Sequence, residues 1–171
     1  MLVGFMCSGK STVAARLAGR LGWEHVDLDA EIERREGRPV PEIFRVEGEA
    51  YFRRREAEVT AELAERSGVV LSPGGGWITN PALLESLGPE TLSVWLRVAP
   101  ETVLARAGPS RAGRPLLDVP DPLPTIRRLL EAREPFYRLA GLAVPTDALD
   151  VESVASLIEQ QVRTRGAAPR G

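Results

Sequence analysis

Residues 4–12 read Gly-Phe-Met-Cys-Ser-Gly-Lys-Ser-Thr, and no other stretch narrows the possible folds so sharply. The spacing G-x-x-x-x-G-K-[ST] is that of a phosphate-binding P-loop. Its residue types follow from the chemistry of holding a polyphosphate. Glycines let successive backbone N–H groups turn inward around an anion. A helix starting near Gly9 aims the positive end of its dipole at the same anion. Lys10 brings a mobile cation to the β- and γ-phosphates, and the Ser11 hydroxyl is placed to ligate Mg²⁺. Cys7, Ser8, Gly9, Lys10, Ser11 and Thr12 are the expected nucleotide-binding set. The context fits. Met1-Leu2-Val3 is an apolar run before the loop, and Val13, Ala14, Leu17 and Leu21 follow it at helical spacing. Lys10 is also the sole lysine among 22 basic residues, so a point charge on a flexible stem stands only here.

The remaining sequence alternates short apolar runs with charged, helical-period segments. Strands are expected at Met1–Phe5, His25–Asp29, Val69–Leu71, Leu92–Leu96 and Leu142–Val144. Helices are expected from the P-loop to Leu21, over Ala30–Glu36, from Pro41, over Gly48–Arg66, after Asn80 as cap with Pro81 at the first position, over Pro100–Arg106, over Thr125–Tyr137 and over Val151–Val162. Strand–helix alternation implies a parallel five-stranded sheet with right-handed crossovers. A chain of 171 residues suits one domain, 1–171, without a linker or repeat. Ala107–Pro124 is rich in Gly, Pro and Arg and reads as a mobile loop, and Thr164–Gly171 as a frayed tail. Net charge of −2 gives no drive toward nucleic acid or membrane, and a single cysteine excludes a disulfide framework. The N-terminus runs straight into the P-loop strand with no signal peptide, so a cytoplasmic protein is expected.

Chemistry-bearing residues cluster at the carboxyl ends of the strands, where open α/β sheets bind ligands. Asp27 and Asp29 end the second strand opposite the P-loop, where such acids can hold a Mg²⁺ water shell or a substrate hydroxyl; helix capping is the other reading. Arg53 lies three residues before Glu56 and can be oriented by it. Arg54 and Arg55 read as a solvated face. Gly74-Gly75-Gly76 suits close approach of backbone N–H groups to a ligand. Arg106, Arg111 and Arg114 lie in or beside the mobile loop and could bring charge to a transferring phosphoryl group. Arg133 lies late in its helix, where compensation of the helix dipole is the alternative.

Taken in order, these segments resemble shikimate kinase. The resemblance rests on residues 4–12, Asp-x-Asp at 27–29, Gly-Glu-x-x-Phe-Arg-x-x-Glu at 48–56, Gly-Gly-Gly at 74–76, Arg-Pro-Leu-Leu at 114–117 and Arg-x-Pro-x-Tyr at 133–137. It implies an α/β fold, a three-layer α/β/α P-loop kinase with sheet order 2-3-1-4-5, a substrate-binding region of about 30–60 and a lid of about 107–120. It implies Mg-ATP and shikimate as substrates, shikimate 3-phosphate and ADP as products, and a place in aromatic amino-acid biosynthesis by way of chorismate. A monomer is expected. Residue by residue, Lys10, Asp29 and Arg114 are implied as catalytic. Ser11 and Asp27 are implied at the metal, with Asp29 orienting or deprotonating the attacking hydroxyl. Arg53 and Arg133 are implied on the substrate carboxylate, Gly75 and Gly76 as backbone contacts, Phe44 and Phe52 as apolar walls. Arg106 is implied against the adenine and Arg114 on the phosphates. Two residues carry further expectations. Trp77 follows the triple glycine, so its indole should lie near the acceptor, with Trp23 and Trp95 farther away; a purely core Trp77 is the other reading. Cys7 stands where the family usually has glycine, and two readings stand side by side: a residue held at φ > 0 under strain, with a reactive thiol near Lys10 and a helix start, or a buried, inert cysteine with ordinary φ. A gluconate-type kinase, a non-catalytic nucleotide-dependent regulator and a nucleic-acid binder are the rival readings.

Overall fold

Alternation along each short strand gives the sheet two buried faces. In the computed structural model, which describes residues 1–108 and 119–167, the strands are β1 (Leu2–Val3), β2 (Glu24–Asp27), β3 (Val69–Ser72), β4 (Val94–Arg97) and β5 (Leu142–Pro145). Leu2, Val70, Val94, Leu96 and Val144 bury on one face, against α1 (Lys10–Leu21) and α8 (Val151–Ala167). Val3, Val26, Leu71 and Trp95 bury on the other, against α2 (Leu28–Glu36), α3 (Val40–Glu47), α4 (Glu49–Ala64) and α5 (Pro81–Glu85). The result is a helix–sheet–helix sandwich. A smaller cluster of Phe5, Val98, Val103, Ala107 and Ile126 joins the P-loop to α6 (Pro100–Ala107) and α7 (Pro122–Tyr137).

All the recorded strand pairings are parallel, but they form two ladders, β1-β4-β5 and β2-β3, rather than one run of five. The break falls between β3 and β1, which approach each other without a ladder among the described residues. The cause is the brevity of β1. Its two residues pair with Val94 and Trp95, and the chain then turns at Gly4 into the P-loop. Only glycine fits there, because a Cβ would lie 2.7 Å from Ser8 Oγ and 2.8 Å from the Leu96 carbonyl oxygen.

Several element ends differ from the sequence expectation. β2 stops at Asp27, which is the N-cap of α2 and accepts a bond from the Ala30 amide at 3.3 Å. Asp29 therefore stands in the first turn of a helix, not at the end of a strand. Trp77–Thr79 form one 3₁₀ turn before α5, and the Asn80 side chain makes no capping bond. α7 begins at Pro122, with Asp121 as its N-cap, rather than at Thr125. α8 continues to Ala167, so the part of the tail expected to fray from Thr164 is helical as far as it is described. The lid and tail residues 109–118 and 168–171, Arg111 and Arg114 with them, lie outside the described residues.

The region around 30–60 is stitched together by charges. Arg35 bonds Glu31 on its own helix and Glu62 on α4, Arg38 bonds Glu47, and Tyr51 donates to Glu36 at 2.8 Å. Arg55, expected on a solvated face, instead reaches Glu36 of α2 at 2.7 Å. Exposed pairs of this kind contribute little singly, and what they do here is fix α2, α3 and α4 as one unit.

Cys7 has φ 60 and is the only non-glycine residue with positive φ among the described residues. A side chain held there costs roughly 1–2 kcal/mol. Cys7→Gly removes that strain but adds about 0.4–1 kcal/mol of unfolded-chain entropy. The expected net gain is about 0.5–1 kcal/mol, or a rise of roughly 1–4 °C in melting temperature. A lower melting temperature for Cys7→Gly by scanning calorimetry contradicts the strain.

Candidate active site

The P-loop places three polar groups at the mouth of α1. Gly9, at φ 93, ends the loop and starts the helix, leaving the first amides of α1 without helical partners. Lys10 Nζ folds back and donates to the Gly4 and Phe5 carbonyls at 2.8 and 3.0 Å. Ser11 Oγ donates to Asp27 Oδ2 at 3.1 Å. Asp27 thus caps α2, as one of its two readings expects, and it also accepts from the P-loop serine. Burial lowers Lys10 to about 8, against the attraction of Asp29 and Asp27.

That shift sets a pH dependence. Folding holds the pKa of Lys10 below its ordinary value, so its burial opposes folding most below pH 8, and this penalty fades as the pH rises from about 8 toward 10.5. Phosphate binding works in the other direction. It favours the cation, so ATP binding above pH 8 must take up a proton. ATP affinity is expected to be flat near pH 6–7 and to weaken by up to about tenfold per pH unit above pH 8. Calorimetric titration at pH 9 in two buffers of different ionisation heat measures the uptake directly, and equal apparent heats would show that Lys10 is not the group involved.

Asp29 projects from the first turn of α2 into the space opposite Lys10. Its Oδ1 is buried and has no hydrogen-bond partner. Burial raises the carboxyl above its ordinary value and Asp27 adds to this, while Lys10 and Arg53 pull it back. The unpartnered oxygen is open to a hydrogen bond from a hydroxyl, and its burial, not the neighbouring cations, is what raises its affinity for a proton.

The triple glycine has a reason that the sequence did not reveal. None of the three has positive φ. Gly74 and Gly76 instead clear charged side chains, while at Gly75 a Cβ would make only ordinary contacts. A Cβ on Gly74 would lie 2.7 Å from Asp29 Oδ2, and one on Gly76 would lie 2.9 Å from Arg53 Nη2. A Cβ on Gly75 would meet Arg133 Nη1 at 3.9 Å and the Met6 amide nitrogen at 3.5 Å. Asp29, Arg133 and Arg53 are thereby drawn to one short strip of backbone.

Both arginines are held from behind. Arg53 Nη1 donates to Glu56 at 2.5 Å, and its other nitrogens reach Glu49 at 3.1–3.3 Å. Glu56 is 1% exposed, and burial raises its carboxyl while Arg53 opposes the rise. The orienting role expected of Glu56 is therefore present. Arg133 donates to the Gly75 carbonyl at 3.1 Å and lies 5.5 Å over the Phe5 ring, so it faces the site and not merely the end of its helix. Phe44 and Phe52 meet with ring centroids 4.7 Å apart, and Arg53 lies 5.6 Å over the Phe52 ring. Arg106 bridges the P-loop and the segment after β5. It donates to the Cys7 carbonyl and the Thr146 hydroxyl at 3.3 Å each, and to the Thr146 carbonyl at 2.5 Å. Arg106 and Thr146 are 40 residues apart in the chain, and only folding brings them together.

Trp77 corrects the expectation. It is 1% exposed, and its indole N–H donates to Thr60 Oγ1 at 3.0 Å in the core beneath α4. Trp95, expected to be remote, stacks on Tyr137 at 5.6 Å, and the Tyr137 hydroxyl reaches the Gly75 carbonyl at 3.4 Å.

A P-loop, a serine–aspartate pair beside it and an unpartnered carboxylate facing the lysine define an ATP-dependent phosphotransferase of the P-loop kinase fold. The comparisons narrow the class. The model of the family described as shikimate kinase matches residues 6–163. A shikimate kinase of Thermus thermophilus is 45% identical over 170 residues, covering 99% of this chain and 92% of that protein. One from Nitrobacter winogradskyi is 46% identical over 143 residues, 84% of this chain and 66% of that longer protein. Among solved structures, shikimate kinase from Acinetobacter baumannii in complex with shikimate superposes with a TM-score of 0.86 at 40% identity, over 97% of this chain and 93% of that one. The chain belongs to the shikimate kinase family.

Proposed function

We propose that the protein transfers the γ-phosphoryl group of ATP to the 3-hydroxyl of shikimate, giving shikimate 3-phosphate and ADP on the route through chorismate to the aromatic amino acids. The observation that carries this reading is the unpartnered Asp29 Oδ1 beside Lys10, on the same glycine strip as Arg53 and Arg133. Shikimate is a small anion bearing hydroxyls. Two guanidinium groups suit its carboxylate, and one carboxylate suits the hydroxyl that attacks.

In this reading Arg53 and Arg133 grip the acceptor carboxylate, Phe44 and Phe52 wall its ring, and Gly75 and Gly76 offer backbone contacts. Asp29 Oδ1 accepts the proton of the attacking hydroxyl as the oxygen–phosphorus bond forms. The raised affinity of Asp29 for a proton assists that step. Cys7, Ser8, Gly9, Lys10, Ser11 and Thr12 cradle the phosphates. Lys10 leaves the Gly4 and Phe5 carbonyls to follow the charge that shifts onto the leaving oxygen. This reading assigns Arg106 to the adenine and Arg114 to the phosphates. Ser11 Oγ and Asp27 Oδ2, 3.1 Å apart, are hard oxygen donors suited to Mg²⁺. Bound there with water and phosphate oxygens, the ion would neutralise charge on the transferring group.

The same reading takes β2-β3 and β1-β4-β5 as one sheet of order 2-3-1-4-5 with a seam at β1. It takes the protein as a cytoplasmic monomer acting on ATP and shikimate, with neither nucleic acid nor membrane as a partner. Among the described residues no helix is long and apolar enough to cross a membrane. The deciding experiment is coupled ADP release by the purified protein with shikimate, with gluconate and with no acceptor. Release that needs shikimate and Mg²⁺ is expected. Equal release without acceptor, or release with gluconate alone, would overturn the assignment.

A further inference from the structure

Of the segment Arg133–Tyr137, only Arg133 has a role in the reading above. Tyr137 is one helical turn away on the same face of α7, and it is 1% exposed. Its hydroxyl and Arg133 Nη1 converge on one atom, the Gly75 carbonyl oxygen, at 3.4 and 3.1 Å. A carbonyl oxygen has two lone pairs and can accept both. The tyrosine ring is stacked on Trp95 with the planes 10° apart, so its hydroxyl is held in place.

An arginine that grips a carboxylate with two parallel bonds turns its fork toward that ligand. Arg133 has five N–H donors, so Nη1 can stay on the Gly75 carbonyl while the rest of the fork meets the ligand, and that carbonyl then sets where the fork points. Tyr137 holds the same oxygen from the core side. The peptide has little room to shift. Gly75 abuts the P-loop at Met6, and its neighbours Gly74 and Gly76 lie against Asp29 and Arg53.

We propose that Tyr137 is a positioning residue for the acid acceptor: it holds the Gly75 carbonyl on which Arg133 Nη1 is anchored, and so keeps the Arg133 fork aimed at the acceptor carboxylate. The inference rests on the proposed shikimate kinase activity, in which Arg133 binds an acid. Tyr137 touches no reacting atom. It holds the strip of backbone that spaces Asp29 from Arg53.

The experiment is Tyr137→Phe, which removes only the hydroxyl, assayed with shikimate and with its methyl ester. The ester has no carboxylate for the Arg133 fork to grip. In the resting protein Arg133 still satisfies Gly75, so the melting temperature and the KM for ATP are expected to be those of wild type. The kcat/KM for shikimate is expected to fall about five- to fiftyfold. Variant and wild type should process the ester alike. Equal losses with acid and ester, a parallel rise in the KM for ATP, or no loss with the acid would each overturn the positioning role. Failure of the wild type to phosphorylate shikimate would instead sink the acceptor reading, and this inference with it.

Discussion

Asp29→Asn is expected to lower turnover by about 10²–10⁴-fold while ATP still binds. The asparagine keeps the size of the side chain, so the clearance over Gly74 is preserved. What disappears is a carboxylate oxygen that is buried, lacks a hydrogen-bond partner and faces Lys10. An amide cannot accept the hydroxyl proton, and its NH₂ group would turn a donor toward Lys10 or Arg53. ATP binding rests on the P-loop and should be spared. Single-turnover phosphoryl transfer together with equilibrium ATP binding separates the two effects. Unchanged turnover in the variant would remove Asp29 from the chemistry.

The second large effect is expected at the arginines. Arg53→Lys and Arg133→Lys should each weaken acceptor binding about tenfold to more than a hundredfold, the loss of a charge-assisted bond worth ~1.5–3 kcal/mol. Lysine retains the charge but not the planar fork that matches a carboxylate. At position 53 the charge also matters for stability, because Glu56 is 1% exposed and pairs with the guanidinium. Arg53→Lys leaves that carboxylate a cation, so the protein should remain folded and the loss should appear in the KM for shikimate. Equal losses of ATP and shikimate affinity would point to a folding defect and count against a role on the acceptor.

Legibility in the sequence followed the range of the interaction. The P-loop was readable because its function is local: glycines, a lysine and a helix start within nine residues do most of the work. The same holds for Arg53 and Glu56, three residues apart on one helix, and for the strain at Cys7, which is a property of one residue's backbone. The end of β2 was misread for a reason equally local. Val26, Asp27 and Leu28 alternate as a strand would, yet the Asp27 carboxylate accepts the Ala30 amide and turns the chain into α2 one residue before Asp29.

The sequence by itself determined a parallel α/β fold with a phosphate site at the first strand, and it marked Asp29, Arg53 and Arg133 as residues of interest. The tertiary structure decided what those residues do to one another. Gly74 and Gly76 are neighbours in sequence, but what they leave room for is Asp29 and Arg53, each on a different helix. Trp77 looked close to the site and proved to be core, whereas Trp95 looked remote and is joined to it through Tyr137. A bond between residues distant in the chain depends on how helices pack on the sheet, and no spacing along the chain encodes that distance.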